Sequence, residues 1–391
     1  MNVAHGVGSS ADLPLPLDLV LQAGAATVVL SFLISAFLWR RPRLDGGVPR
    51  EAPLAWLRYP VLLLTGCVVV IAFLGPPGDR NPAAHALFVW LWVGLVPVSV
   101  VLGPVWRAVN PLRTLFALLC RPPFRLPPHG LRPLPPGRGA GSWPAAAFLL
   151  AFVWFELVVP HQGDPVAVGA FLCGYGVMQL AGAVVRGEEW FARADCFEVY
   201  SSLAGRLSPP AWKPWLSGLA TPAPAAFLAV WWGSTVFDSA AGGPAWAAFV
   251  QRAGHPGLLA TAALVLICGL ILVAVRRVAG RFDVTGSLIP IAVGYTLAHY
   301  LSLLLVEGPR GVLLLLGREP DWNPALIPGA MAAAQIALIL AGHVLGVIVA
   351  HDRALAESPD RPVLATLADE LPMVIFMIGC TWAGLFLLFV R

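Results

Sequence analysis

The residues of this chain best suited to chemistry are ionisable side chains inside long apolar runs. His299 lies within IPIAVGYTLAHYLSLLLVEG, and His343 lies within AMAAAQIALILAGHVLGVIVAH. Ionisable groups are costly inside a bilayer, so they mark ion sites, proton relays or hydrogen bonds between helices. These two histidines are therefore the first candidates for a functional role.

One group of candidates is predicted for the outer half of the membrane. Of the 21 acidic residues, Asp18 is the first residue of its predicted span, and only Glu156 and Asp238 fall farther inside the predicted spans, both toward the outer end. His299 is ~10 Å below the outer end of its span at 1.5 Å per residue. An outward-facing polar pocket is predicted from Glu156, Asp238, His299, Gln335, Tyr295 and Ser302.

Imidazole and carboxylate groups at one depth are compatible with several chemistries. They suit a divalent ion such as zinc or copper, with His299, Glu156, Asp238 and His161 as candidate ligands. The same groups relay protons or activate water. The chain contains no HExxH or HxH spacing, so an interhelical hydrogen bond remains an equal alternative for His299.

A second group of polar residues, His343, His351 and Asp352, is predicted for the inner half. His343 lies between Gly342 and Gly346, and small residues allow helices to approach closely. At His351 and Asp352 the predicted span leaves the membrane, where a solvated boundary is expected. The two layers are compatible with a permeation or proton path, and equally with two structural hydrogen bonds.

The composition places the chain among integral membrane proteins. Of 391 residues, 58% are apolar and 12% are charged, with a mean hydropathy of +0.78; a soluble domain is roughly 25% charged.

The six cysteines are scattered without a CxxC pair, which indicates neither a disulfide framework nor a thiolate metal site. The net charge is +4, and the basic residues are dispersed among loops, a distribution that predicts no nucleic-acid partner. P-loop, GxSxG and CxxCH motifs are absent.

Hydropathy predicts an all-α bundle of ten spans in the bilayer of a bacterial cytoplasmic membrane. The spans are 18–39, 57–75, 85–105, 143–161, 165–186, 222–240, 257–276, 284–306, 327–351 and 371–390. With this count, 20 of the 25 basic residues fall on one side of the membrane and 5 on the other. Because basic loops stay in the cytoplasm, both termini are predicted to be extracytoplasmic. Residues 1–17 would form an outer tail, and 18–391 a single transmembrane domain whose first span serves as the insertion signal.

Two long cytoplasmic connections, 106–142 and 187–221, are each predicted to begin with an amphipathic helix on the inner leaflet. The second contains a charged cluster that is expected to form the solvent face of its helix: Glu188, Glu189, Arg193, Asp195 and Glu198. RLPP and AAFL in the first half have counterparts, RLSPP and AAFL, about 80 residues later. This similarity predicts a weak parallel repeat of 85–161 and 165–240, an arrangement common in transporters.

Several strings of the chain resemble a known family. They are AHG with DLPLP near the start, NPLR at 110–113, CFEVYSSLAGRLSP at 196–209, TVFDS at 235–239, AHYLSLL at 298–304 and GHVLGVIVAHDRAL at 342–355. Together they are similar to polytopic bacterial membrane proteins called fenitrothion hydrolase-like, which are frequent in actinobacteria. The resemblance runs over nearly the whole chain and implies a membrane-bound protein linked to organophosphate ester hydrolysis. It carries no catalytic residue over to this sequence.

Three functions therefore remain open from the sequence. The first is a transporter or permease that uses the intramembrane histidine and acidic groups for a metal ion, a proton or a small solute. The second is a membrane hydrolase, as the resemblance implies. The third is a non-catalytic subunit that anchors or assists partner membrane subunits.

Overall fold

The structure is a computed structural model that describes residues 16–44, 54–133, 142–209, 218–219, 221–279, 283–357 and 363–389. Within these ranges every regular element is helical, and there is no strand, so the predicted all-α class is confirmed for the described chain. The predicted outer tail, 1–17, lies outside the described residues except for its last two positions.

The described residues form sixteen α-helices. They are α1 Leu17–Leu38, α2 Arg58–Leu74, α3 Leu95–Leu102, α4 Val105–Val109, α5 Pro111–Leu119, α6 Trp143–Leu157, α7 Pro165–Arg186, α8 Glu189–Ala194, α9 Cys196–Ala204, α10 Ala225–Ala241, α11 Pro244–Ala253, α12 Pro256–Ala279, α13 Leu288–His299, α14 Leu301–Leu315, α15 Pro328–Glu357 and α16 Val363–Phe389. A π-helical segment, His85–Gly94, runs directly into α3.

Seven described helices are long and apolar enough to cross a membrane. They cover Leu17–Leu38, Ala55–Leu74, His85–Leu102, Pro165–Arg186, Pro256–Val278, Pro328–Glu357 and Ala368–Phe389. Each corresponds to one of the ten predicted spans, as expected for a multi-pass membrane protein. The other three predicted spans correspond to the 15-residue α6, the 17-residue α10 and the pair α13 and α14, which is broken at Tyr300. The count of ten and the side on which the termini lie remain predictions.

The chain divides into two compact units. Among the described residues, unit 1 draws on Pro49–Lys213 and Leu303–Asn323, whereas unit 2 draws on Ala4–Val48, Pro214–Ser302 and Pro324–Arg391. The single domain spanning 18–391 remains a prediction.

In unit 1, each long connection begins with two short helices that meet at a capping residue. Asn110 follows α4, and its side chain accepts hydrogen bonds from two backbone N–H groups at the start of α5. Asp195 follows α8 and caps α9 in the same way. Both are preferred N-cap residue types. Each connection therefore contains two helices rather than the one predicted, and the order of elements recurs.

The charged cluster of the second connection forms the expected solvent face only in part, since Glu188 and Glu189 are exposed and the later members are not. Asp195 and Glu198 are buried. Asn110 donates to Asp195 at 2.7 Å, while Arg113 binds Glu198 through two nitrogens at 2.6 and 2.7 Å and Glu188 at 2.8 Å. The expectation failed for Asp195 and Glu198 because charge patterning within one segment gives no information about a partner 85 residues earlier in the chain.

In unit 2, α13 and α15 cross with backbones in close approach. A Cβ on Gly342 would lie 2.5 Å from the carbonyl oxygen of Pro290, and one on Gly294 would lie 2.5 Å from that of Leu338. Gly346 is similarly close to α13's N-terminal end. Small residues at a crossing let two membrane helices pack closely, and this packing fixes the helix that carries His299.

Candidate functional site, a buried histidine–carboxylate cluster

The site is built at the C-terminal ends of two helices of unit 2. Asp238 and Ser239 lie in the last turn of α10, and His299 is the last residue of α13. The C-terminal turn of a helix leaves carbonyl groups without helical donors and carries partial negative charge. Both helix ends therefore favour a cation or a proton over an anion.

His299 joins Asp238 and Ser239 through its two ring nitrogens. Nε2 is 2.8 Å from Asp238 Oδ2, and Nδ1 is 3.2 Å from Ser239 Oγ. The Ser239 hydroxyl is 2.8 Å from the hydroxyl of Tyr295, and Tyr300 donates to Asp238 Oδ2 at 3.1 Å. The His299 side chain is 0% exposed, whereas that of Asp238 is 12% exposed. Of these two side chains, the Asp238 carboxylate is therefore the one that contacts the surroundings.

This arrangement satisfies His299 in two protonation states. A neutral ring donates from Nε2–H to Asp238 and accepts the Ser239 hydroxyl proton at Nδ1. A protonated ring donates from both nitrogens, and the Ser239 hydroxyl then turns to accept, because a hydroxyl is both donor and acceptor. A buried proton can thus be gained or lost without leaving an unpaired group at the ring.

A second pair in unit 2, His351 with Glu370, lacks this freedom. His351 Nδ1 is 3.0 Å from both carboxylate oxygens, and Nε2 is 3.0 Å from the carbonyl oxygen of Trp39. Since a carbonyl only accepts, Nε2 must carry a hydrogen, and loss of the proton shared with Glu370 would leave lone pairs facing each other. This pair is therefore fixed in one protonation state and ties the end of α1 to α15.

The expected solvated boundary at His351 and Asp352 is wrong, since both residues are buried. Asp352 accepts from Trp39 Nε1 at 2.7 Å and from the backbone N–H of Arg43 at 2.6 Å. The chain that follows α1 folds back over the end of α15 and covers it. Hydropathy alone did not reveal this cover, because the covering segment is more than 300 residues away in the sequence.

Unit 1 holds a third pair, which the sequence reasoning missed. His85 Nε2 is 3.0 Å from Glu307 Oε2, and Arg310 donates to Glu307 Oε1 at 2.7 Å. The buried Nδ1 of His85 has no hydrogen-bond partner among the described residues. Because Arg310 already neutralises Glu307, and a second ring proton would be buried unpaired, this pair suits a neutral histidine.

The string EGPRG at 307–311 is the signal that could have found this pair. Pro309 has no N–H, so the carbonyl of Leu305 lacks its helical donor and instead accepts from Trp322 Nε1 at 2.9 Å. Arg310 Nε donates to the Trp322 carbonyl at 2.9 Å. A charged, proline-containing string at a predicted span end therefore marks a folded cluster. The predicted span 284–306 stopped one residue short of it.

The other predicted members of the outer pocket lie in different units. Gln335 and Ser302 belong to unit 2 with His299, and Gln335 Nε2 donates to the carbonyl of Ala298 at 2.9 Å. Glu156 is buried on α6 of unit 1. His161 is exposed in the connection between α6 and α7, with a φ of 57°. The structure brings Asp238, His299, Ser239 and Tyr295 together, and one layer that includes Glu156 stays a prediction.

His343 lies in α15 with its ring orientation fixed by its own helix. Its Nδ1 is 2.8 Å from the carbonyl oxygen of Ile339, to which it donates. The ring is buried, and Nε2 has no hydrogen-bond partner among the described residues. The structure gives His343 no acidic partner among the described residues, and its separation from the cluster at His299 stays a prediction.

The divalent-metal hypothesis gains no support. Within the described part of the chain, no three histidine, cysteine, aspartate or glutamate side chains come together in a way that could hold a metal ion. Both nitrogens of His299 are already hydrogen-bonded, which leaves no lone pair for zinc or copper in this arrangement.

No family model, curated protein or solved structure matches the chain. The fenitrothion hydrolase-like resemblance remains an expectation from the sequence strings.

Proposed function

We propose that this chain is a proton-linked transporter of the bacterial cytoplasmic membrane, with Asp238 and His299 as its proton-binding site. The supporting observation is the fully buried imidazole of His299, held 2.8 Å from Asp238 at the C-terminal ends of two helices. Histidine titrates near neutral pH. Paired acidic and histidine residues within membrane helices are the groups that relay protons in pumps and transporters.

The three histidine–carboxylate pairs differ in a way that favours this one. His351 is satisfied only while it shares a proton with Glu370. Glu307, the partner of His85, already has Arg310 as its counter-ion. Among these three pairs, only His299 has a hydroxyl group at its second ring nitrogen, and a hydroxyl group can either donate or accept a hydrogen bond.

The steps at this site follow from the exposure of each group. A neutral His299 already donates from Nε2–H to Asp238, so it gains its second proton at Nδ1, and the protonated ring can then pass its Nε2 proton to the partly exposed carboxylate of Asp238. The Nδ1 proton then lies on the side of Ser239, whose hydroxyl is hydrogen-bonded to Tyr295. Tyr300 holds Asp238 in place through its hydroxyl group.

The test uses the full-length protein in lipid vesicles that enclose a pH-sensitive dye, in mixed Na⁺ and K⁺ salts. We expect protons to cross the membrane when a pH gradient is imposed across the vesicles. Asp238→Asn or His299→Gln should lower its rate at least tenfold, since neither amide titrates. His161→Gln, at an exposed histidine outside the cluster, is the matched control. Wild-type rates in both cluster variants, with folding checked by size-exclusion chromatography, would refute the proposal.

One observation favours a second candidate, the membrane hydrolase implied by the resemblance. Ser239, His299 and Asp238 form a hydrogen-bonded series like that of a serine nucleophile, its base and an orienting acid. However, Ser239 lies at the C-terminal end of α10, where carbonyls rather than N–H groups are available, so an oxyanion would be destabilised. Turnover of a phosphotriester that is lost in Ser239→Ala would favour the hydrolase, and its absence would favour the proton site.

A further inference from the structure

We propose that the helix break beside His299 binds a monovalent alkali cation, which exchanges with the proton on the Asp238–His299 pair. This inference rests on the proposed function and names the class of ion that is moved. It starts from buried oxygen atoms whose hydrogen-bonding capacity is unused.

Two such oxygens flank the break at Tyr300. Gln335 is 1% exposed and Ser302 is 7% exposed. Neither Gln335 Oε1 nor Ser302 Oγ has a hydrogen-bond partner among the described residues. The orientation of the Gln335 amide is fixed, because its Nε2 donates to the carbonyl of Ala298 at 2.9 Å. Buried polar atoms are nearly always satisfied, so these two require an explanation such as a bound ion.

The backbone adds oxygen atoms of the same kind. α13 ends at His299, and α14 begins at Leu301. A helix end leaves carbonyl groups without helical N–H donors, and at this end the carbonyl of Ala298 accepts from Gln335 instead. Discontinuous membrane helices bind Na⁺ or H⁺ through such carbonyls and C-terminal ends. The break is thus an oxygen-rich position next to a carboxylate.

The donor set selects the class of ion. His299 offers no unpaired nitrogen, so the remaining ligands are oxygens, which suit hard cations rather than zinc or copper. With His299 neutral, Asp238 gives the cluster one negative charge, which a single monovalent cation balances. A proton on His299 cancels that charge and removes the attraction, so cation and proton compete one for one.

The first experiment measures binding without transport. Purified full-length protein in weakly buffered detergent receives NaCl, KCl or choline chloride, and both radioactive cation binding and proton release are recorded. We expect Na⁺ or K⁺ to bind and to release protons, whereas choline, a much larger organic cation, should do neither. Absence of alkali-cation binding would overturn the inference. Binding without any proton movement in vesicles would support the inference while refuting the proposed transport.

The second experiment locates the ion. Ser302→Ala and Gln335→Met each remove one oxygen with little change in volume, and should raise the half-saturating cation concentration about tenfold. Ser287→Ala is the matched control, because that buried hydroxyl is already bonded to the carbonyl of Val284 at 2.7 Å. Wild-type half-saturation in both Ser302→Ala and Gln335→Met would place the ion elsewhere and overturn the assignment.

Discussion

At the scale of single residues, the partners of each ring nitrogen decide what a buried histidine can do. His299 faces a carboxylate and a hydroxyl, whereas His351 faces a carboxylate and a carbonyl. A hydroxyl reverses its role and a carbonyl does not. Two histidines that look alike in an apolar run therefore differ in whether they exchange a proton.

Asp195 gives a residue-scale prediction outside the membrane spans. Its pKa is raised from 3.8 to about 6, first because burial penalises the carboxylate and then because Glu198 is a nearby like charge. Hydrogen bonds from Tyr175 and Asn110 oppose this rise. A folded-state pKa above the unfolded value stabilises the fold below pH 4, and this contribution is lost as the pH rises to 6. The loss attributable to Asp195 is on the order of 3 kcal/mol.

Unfolding measurements in detergent from pH 4 to 7 check this. The stability of Asp195→Asn should decline less over that range than the stability of the wild type. Asp164→Asn is the control, since Asp164 caps α7 by accepting from two backbone N–H groups but is exposed. Equal pH slopes for wild type and Asp195→Asn would show that Asp195 does not carry the effect.

At the scale of elements, close packing and broken helices place the site. The crossing of α13 and α15 leaves no room for a side chain at Gly342 or Gly294. The end of α13 at His299 then lies where Gln335 of α15 bonds to the carbonyl of Ala298. In unit 1, the capped N-termini of α5 and α9 lie together. Arg113 of α5 joins them by binding Glu198 of α9. In both units a helix end, rather than a helix interior, carries the polar chemistry.

Gly342→Ala tests the crossing. The added Cβ would lie 2.5 Å from a backbone carbonyl of α13, so the helices must move apart, and the free energy of unfolding should fall by about 1–3 kcal/mol. Proton movement should fall with it, because the position of His299 depends on α13. Thermal unfolding in detergent is the measurement.

The control is Gly379→Ala on α16, where nothing lies within 4 Å of the added Cβ. That variant should be neutral or slightly more stable, since alanine is the better helix former by about 1 kcal/mol. Equal destabilisation of the two variants would mean that the close approach at Gly342 is unimportant.

At the scale of the whole molecule, hydropathy and charge describe a multi-pass helical chain. Seven helices among the described residues are long enough to span a membrane, and 20 of 25 basic residues fall on one predicted side. Two compact units, each assembled from segments distant in sequence, share the chain. Asp238, His299, Gln335 and Ser302 all belong to unit 2, so the proposed proton and cation sites need only that unit's own packing.

The positive-inside distribution predicts that both termini are extracytoplasmic. Alkaline phosphatase, which is active only outside the cytoplasm, should be active when fused to either end of the chain, and a fusion after Arg281 should be inactive. Activity at only one terminus would indicate an odd number of spans and would overturn the count of ten.

The sequence by itself determined the helical class, the approximate positions of the seven long apolar helices and the choice of His299 and Asp238 as candidates, because apolar runs and rare ionisable residues are local properties. It also pointed to His351 and Asp352, but it assigned them to a solvated boundary. Tertiary structure alone decided which oxygen faces each ring nitrogen, that Asp195 and Glu198 are buried against Asn110 and Arg113, and that Glu307 pairs with His85. Most of these facts depend on contacts between residues 60 to 312 positions apart. No local pattern encodes such contacts, because they form only when separate helices pack.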